Sequence, residues 1–218
     1  MTQPRLLFLI RHGRSDYDST DLADVGRGRQ WDPPLGEHGR EEAELLARRL
    51  VLMDPPPVAL YCSPMRRARE TIGPYAIRAG AEVAYLDDLA EAHVGEWENR
   101  RFEELLASDD RLLHAFRTED SLWSTAPGAE PIPDLRRRVH DAIEGIVAAH
   151  TDGNVAVVCH GGVINAYLGP VLGLTDQAMF FLPENTSVNT VVIQGADRHV
   201  RFLNDVRHLT EPRLYDER

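Results

Sequence analysis

Leu6-Leu7-Phe8-Leu9-Ile10, followed at once by Arg11-His12-Gly13-Arg14-Ser15, decides the fold class. Five successive apolar residues are too few for a membrane span and fit a strand buried on both faces of a parallel sheet. The run breaks into a cation, an imidazole and a flexible backbone. In open α/β sheets, ligands bind where the carboxyl ends of strands open into loops. Val155-Ala156-Val157-Val158-Cys159, then His160-Gly161-Gly162, repeats the form. Two buried strands that each deliver a histidine onto a glycine predict one site built from both ends of the chain.

Between these strands the pattern alternates. Ser15 to Gly36, rich in Asp, Gly, Arg and Pro, reads as a long loop of the kind that is often functional. Ala43, Leu46, Ala47 and Leu50 recur at helical spacing within Glu37 to about Met53. A strand is predicted over Val58–Cys62, with Ser63-Pro64 as the N-cap and first residue of the next helix, and Gly73-Pro74 as a kink in it. A short strand follows over Glu82–Leu86. A regular helix returns at Pro133–His150, then Val155–Cys159, a helix over Gly161–Leu172, and late strands at Val188–Gln194 and Val200–Leu203. The expected architecture is α/β: a three-layer α/β/α sandwich around a mostly parallel sheet. One domain is expected over residues 1–218, with a helical cap insertion at about 87–133.

Lys+Arg of 24 against Asp+Glu of 35 leaves a net charge of −11, which argues against a general nucleic-acid or anionic-membrane surface. A local arginine cluster could still hold an anion, and the basic residues are overwhelmingly arginine. Cys62 and Cys159 are no disulfide framework and read as buried free thiols. No apolar run exceeds five residues and no signal-peptide pattern opens the chain, so the expected location is the cytoplasm.

Arg11-His12-Gly13 alone is a weak signal, since a lone histidine after a strand is commonly structural. Its company raises its weight. Ser63-Pro64-Met65-Arg66-Arg67-Ala68 places guanidiniums after another strand, Glu91, Glu96 and Glu98 offer carboxylates after a third, and the helix opening at Gly161 offers amides for an anion. Together with Asp32-Pro33-Pro34-Leu35, Pro127-Gly128-Ala129-Glu130 and Asn185-Thr186-Ser187-Val188, all in order, the chain resembles the histidine phosphatase superfamily, the phosphoglycerate mutase-like proteins, nearly end to end.

The resemblance implies a phosphoryl-transfer site. His12 would be the nucleophile that becomes phosphorylated, with Arg11, Arg67 and His160 around the phosphoryl oxygens. Glu91, in preference to Glu96 and Glu98, would be the general acid and then the base. Gly13, Ser15, Asp18 and Gly161 would border the phosphate. Arg66 and Arg69 would lie on a solvated helix face. No cofactor and no metal is expected; a metal site on His12, His160 and a carboxylate is disfavoured by the neighbouring arginines.

The chain departs from the family pattern at three places. Asp18 stands where many members carry Asn, so it points away, pairs with Arg14 or Arg29, or tunes the site differently. Gly28-Arg29 stands where Gln-Gly is usual, and Arg14 where Glu is usual. An acidic, short cap favours a phosphomonoester hydrolase over a mutase, which would need further basic residues for a phosphoglycerate carboxylate. A phosphate-ester binding protein is the non-enzymatic alternative, expected if His12 or Arg11 were absent. The expected partner is a small phosphorylated metabolite, without nucleic acid or membrane; a homo-oligomer stays open. Trp97, Phe102, Phe116 and Trp123 are candidates either for an apolar leaving-group wall or for the cap's own core. His208 lies in a tail segment that resembles one of the phosphatase branch, with no role assigned.

Overall fold

The computed structural model describes residues 4–26, 28–98, 100, 102–111 and 125–216. A six-stranded sheet organises it, in the order β5-β4-β6-β1-β7-β8. The strands are β1 (Arg5–Arg11), β4 (Pro57–Cys62), β5 (Val83–Tyr85), β6 (Asn154–Cys159), β7 (Val188–Gln194) and β8 (Asp197–Asp205). The β5, β4, β6 and β1 ladders are parallel, whereas β7 pairs antiparallel with both β1 and β8. The sheet is therefore mixed, with its antiparallel part made by the late strands.

The alternation of side chains explains why β1 and β6 read as unbroken apolar runs. Leu7, Leu9, Val155, Val157 and Cys159 enter the core on one face. Phe8, Ile10, Ala156 and Val158 enter the core on the other. On the first face pack α4 (Ile132–Ala149) through Leu135, Val139 and Ile143, and α5 (Gly161–Val171) through Val163, Ile164 and Tyr167. On the second pack α1 (Glu37–Val51) through Leu46, Ala47 and Leu50, and α2 (Arg66–Ala79) through Ala68, Ile72 and Tyr75. The result is the expected α/β/α sandwich; each fully buried Leu or Ile stabilises it by about 1.5–3 kcal/mol. Cys62 and Cys159 are buried free thiols in opposite cores.

The structure corrects three sequence expectations. The stretch from Ser15 to Gly36 is not loop throughout: β2 (Leu22–Asp24) pairs antiparallel with β3 (Arg29–Trp31). Helix α2 begins at Arg66, not at Ser63-Pro64, because its first amide is satisfied from a distant loop: Arg66 N donates to Asp32 Oδ1 at 2.7 Å. Ser63 Oγ instead accepts from Met65 N. From Asp87 to Glu98 the cap is turns rather than α-helix, with 3-10 segments at Asp87–Leu89 and Gly95–Trp97 before α3 (Phe102–Ser108). Trp97 sits in the cap's own core with Leu105 and Ala126, its Nε1 donating to Asp109 Oδ2. Phe116, Trp123 and the Phe102 side chain lie outside the described residues. Among the described residues, no helix is long and apolar enough to cross a membrane.

Candidate active site

The register of the central ladders assembles the site. Arg11 pairs with Cys159, so the next residues, His12 and His160, leave adjacent strands side by side, their ring centroids 5.1 Å apart. Cys62 pairs with Val158, which brings Ser63 beside them; its hydroxyl lies 2.7 Å from His160 Nε2.

The His12 ring has one defined orientation. Nδ1 lies 2.7 Å from Gly13 O. A carbonyl only accepts, so Nδ1 carries the proton and Nε2 keeps its lone pair. That lone pair faces the guanidinium of Arg67, whose Nε donates to it at 3.3 Å. Burial, then the charges of Arg67 and Arg11, hold His12 well below the usual histidine range, so the ring is neutral. Burial, then the charge of Arg67, holds His160 well below the usual range too.

The backbone is fixed with equal care. His12 N donates to Cys159 O at 3.0 Å and Gly13 N to Thr71 Oγ1 at 2.9 Å. Gly13 is required by close approach: a Cβ there would stand 2.8 Å from Gly39 O.

Arg67 is buried on the first turn of α2, its Nη1 donating to Trp31 O at 3.0 Å and lying 3.7 Å from Asp32 Oδ1. Arg66 and Arg69 are exposed, Arg66 pairing with Glu70 at 2.8 Å and Arg69 lying over the Tyr85 ring. Arg11 donates through Nη1 to Pro183 O. Among the described residues, Arg11 Nε and His160 Nδ1 are buried polar atoms with no hydrogen-bond partner. Unmet buried polar capacity is costly, and these two atoms flank the nucleophile-like ring with hydrogen-bonding capacity for an oxyanion.

Glu91 completes the group. Its Oε1 accepts from Ala92 N at 2.9 Å and its Oε2 from Gly162 N at 3.0 Å, in the first turn of α5. The anion at that helix terminus is thus a carboxylate of the chain itself. Its main-chain carbonyl accepts from Gln30 Nε2 at 3.0 Å and from Arg138 Nη2 at 3.3 Å. The rivals are placed differently: Glu96 is exposed, and Glu98 accepts from the Val94 and Trp31 amides.

A cavity of about 170 Å³ gathers Arg11, His12, Ser15, Arg67 and Glu91. Gly161 opens α5 beside Arg11, and a Cβ on it would lie 3.9 Å from Arg11 Nε. Asp18 is exposed and outside the lining, its amide donating to Asp16 Oδ1. Sequence reasoning missed Tyr17, Gln30 and Trp31 on the wall, and Glu98, named there only as a rival to Glu91, lines it as well. Gln30 had a signal: strand alternation in β3 turns it inward, 1% exposed, while Arg29 points out.

The sequence over residues 7–206 matches the model of the histidine phosphatase superfamily (branch 1). A metal-independent phosphoserine phosphatase of Arabidopsis thaliana is 30% identical over 94% of this chain and 83% of its own. A glucosyl-3-phosphoglycerate phosphatase of Mycolicibacterium vanbaalenii is 30% identical over 78% of this chain and 75% of its own. The solved structure of Bacillus stearothermophilus YhfR superposes with a TM-score of 0.79 at 26% identity, covering 94% of this chain and 99% of that one.

Proposed function

The chain belongs to the histidine phosphatase superfamily, branch 1, and from that premise we propose that it hydrolyses small phosphomonoesters through phosphorylated His12. The observation that carries this reading is a neutral imidazole whose Nε2 faces Arg67, within a cavity that also holds Arg11 and Glu91.

Arg11, Arg67 and His160 hold the phosphoryl oxygens, with Ser15, Gly13 and Gly161 at the rim. Fixed cations and dipoles in a water-poor pocket stabilise the developing charge without reorganising. His12 Nε2 attacks phosphorus in line, the P–O bond to the leaving group breaks, and Glu91 gives that oxygen a proton. Glu91 then takes a proton from water, whose oxygen attacks phosphohistidine; the P–N bond breaks, and inorganic phosphate leaves with His12 restored. The chemistry uses no metal, since guanidiniums supply the positive charge.

The named relatives are phosphatases, which favours hydrolysis over mutase transfer. For the leaving group, Tyr17 stacks on Trp31 with centroids 6.0 Å apart, and Met65 and Val94 add apolar surface to the same cavity. A small metabolite with an apolar or polar flank fits this wall. Phosphoserine and glucosyl-3-phosphoglycerate belong in the first screen because the relatives are named for them. Cytoplasmic action on such a metabolite, by one domain with a cap insertion at about 87–133, is part of the proposal.

The test is hydrolysis of p-nitrophenyl phosphate and of alkyl phosphates with a chelator present. Turnover that survives the chelator and vanishes in His12→Ala supports the reading. Full activity in His12→Ala, or isomerisation of phosphoglycerate in place of hydrolysis, overturns it.

A further inference from the structure

We propose that His208, on the short helix α6 (Arg207–Thr210), is a positioning residue that sets the nucleophile's geometry through Thr186. The inference rests on His12 being the nucleophile.

His208 is fully buried and uses both ring nitrogens. Nδ1 lies 3.2 Å from Arg49 Nη1, and Nε2 lies 3.0 Å from Thr186 Oγ1. A guanidinium can only donate, so Nδ1 holds the lone pair and Nε2 carries the proton, which is donated to Thr186. Thr186 Oγ1 in turn donates to Asn185 O at 2.8 Å. The hydrogen-bond direction is therefore fixed from Arg49 to the loop.

That loop has an unusual backbone. Thr186 has φ 54°, the left-handed region that β-branched residues avoid, so the surroundings must hold it there. The conformation aims Thr186 N at His12 O, 3.3 Å away, beside Asn185 Nδ2 at 2.9 Å from the same oxygen. The His12–Gly13 peptide is thus clamped at its oxygen by residues 185 and 186, and at the Gly13 amide by Thr71. The same peptide precedes the carbonyl that orients the His12 ring through Nδ1.

The charges facing His208 are arranged to keep this orientation. Arg49 is buried, pairs with Asp205 Oδ2 at 2.7 Å and donates to Asp205 O at 3.0 Å; Arg207 pairs with the same carboxylate at 3.1 Å. Arg49 is therefore pinned to present a donor to the imidazole. A packing role alone would not need a ring whose two nitrogens are oppositely polarised.

The test separates shape from hydrogen bonding. His208→Gln offers an acceptor to Arg49 and a donor to Thr186; His208→Leu offers neither. His208→Leu is expected to lower kcat, and the single-turnover rate of phosphoenzyme formation, by about tenfold or more with KM changed by less than about threefold. His208→Gln is expected to restore most of the rate. Thr186→Ala, a milder change that keeps the fold testable, is expected to lose a similar factor, and the double variant no more than either single one. Wild-type kcat in folded His208→Leu or in Thr186→Ala overturns the proposal, as does an additive double variant or equal losses in the Gln and Leu variants. These outcomes are distinct from failure of the phosphohistidine reading, which activity in His12→Ala reveals.

Discussion

Gly162 donates its amide to Glu91 Oε2 at 3.0 Å, and a Cβ on residue 162 would stand 2.3 Å from Oε1 of the same carboxylate. The second glycine after His160 is there because helix α5 receives a side chain at its first turn. Gly162→Ala is expected to displace the Glu91 carboxylate. Steady-state assays should show a fall of about tenfold or more in kcat on alkyl phosphates, with a smaller effect on p-nitrophenyl phosphate.

The same leaving-group logic applies to Glu91 itself. General acid catalysis contributes about 10²–10⁴-fold, and most where the leaving oxygen is basic. Glu91→Gln should lose that factor on alkyl esters and much less on nitrophenolate. Equal losses on both would remove Glu91 from the role of acid.

The buried pair of Arg138 and Glu130, 2.7 Å apart, carries stability as well as geometry. Arg138 also donates to the main-chain oxygens of Ala90 and Glu91. Arg138→Ala takes this partner from a buried carboxylate and is expected to cost about 3–5 kcal/mol, read by chemical denaturation. Residual activity in the folded fraction should fall too, because the Glu91 loop loses its anchor.

Acid should weaken the fold through its histidines. Burial holds His12 and His160 well below the usual range, and burial with Arg49 brings His208 from 6.5 down to about 4. These rings are neutral when folded, while the unfolded chain binds protons near 6.5, so the unfolded state gains protons first as pH falls. Their contribution is complete above about 6.5 and is lost progressively below it, for His208 down to about 4. Each group accounts for about 1.4 kcal/mol per pH unit at most. Denaturation midpoints between pH 7 and about pH 4 should fall accordingly, and His208→Gln should flatten the slope. The acid limb of kcat/KM, corrected for the substrate phosphate ionising near ~6, should lie below 6.5 because His12 stays neutral there.

The parts of the fold that were legible in the sequence are those where local pattern and tertiary role coincide. β1 and β6 are buried on both faces, so their apolar runs announce them, and the residues that follow, His12 and His160, must emerge together once the strands pair. What was hidden depends on contacts distant in sequence. The start of α2 is set by Asp32 from a loop over thirty residues upstream. β2 and β3 are three residues each, too short for a periodicity to show. Gln30 and Trp31 reach the cavity on that hairpin, and the Trp31 amide donates to Glu98 beside them. Glu98 illustrates the limit: it lines the same cavity as Glu91 and likewise accepts from two amides, those of Val94 and Trp31 where Glu91 accepts from Ala92 and Gly162.

The most direct test of the central claim is to trap the enzyme during turnover. Protein mixed with a phosphomonoester, quenched in alkali where phosphohistidine survives, and digested for mass spectrometry should carry a phosphoryl group on the peptide containing His12. The same experiment on His12→Ala should give no labelled peptide and no phosphate release. Turnover without any covalent phosphate, or label on another residue with His12→Ala still active, would contradict the account.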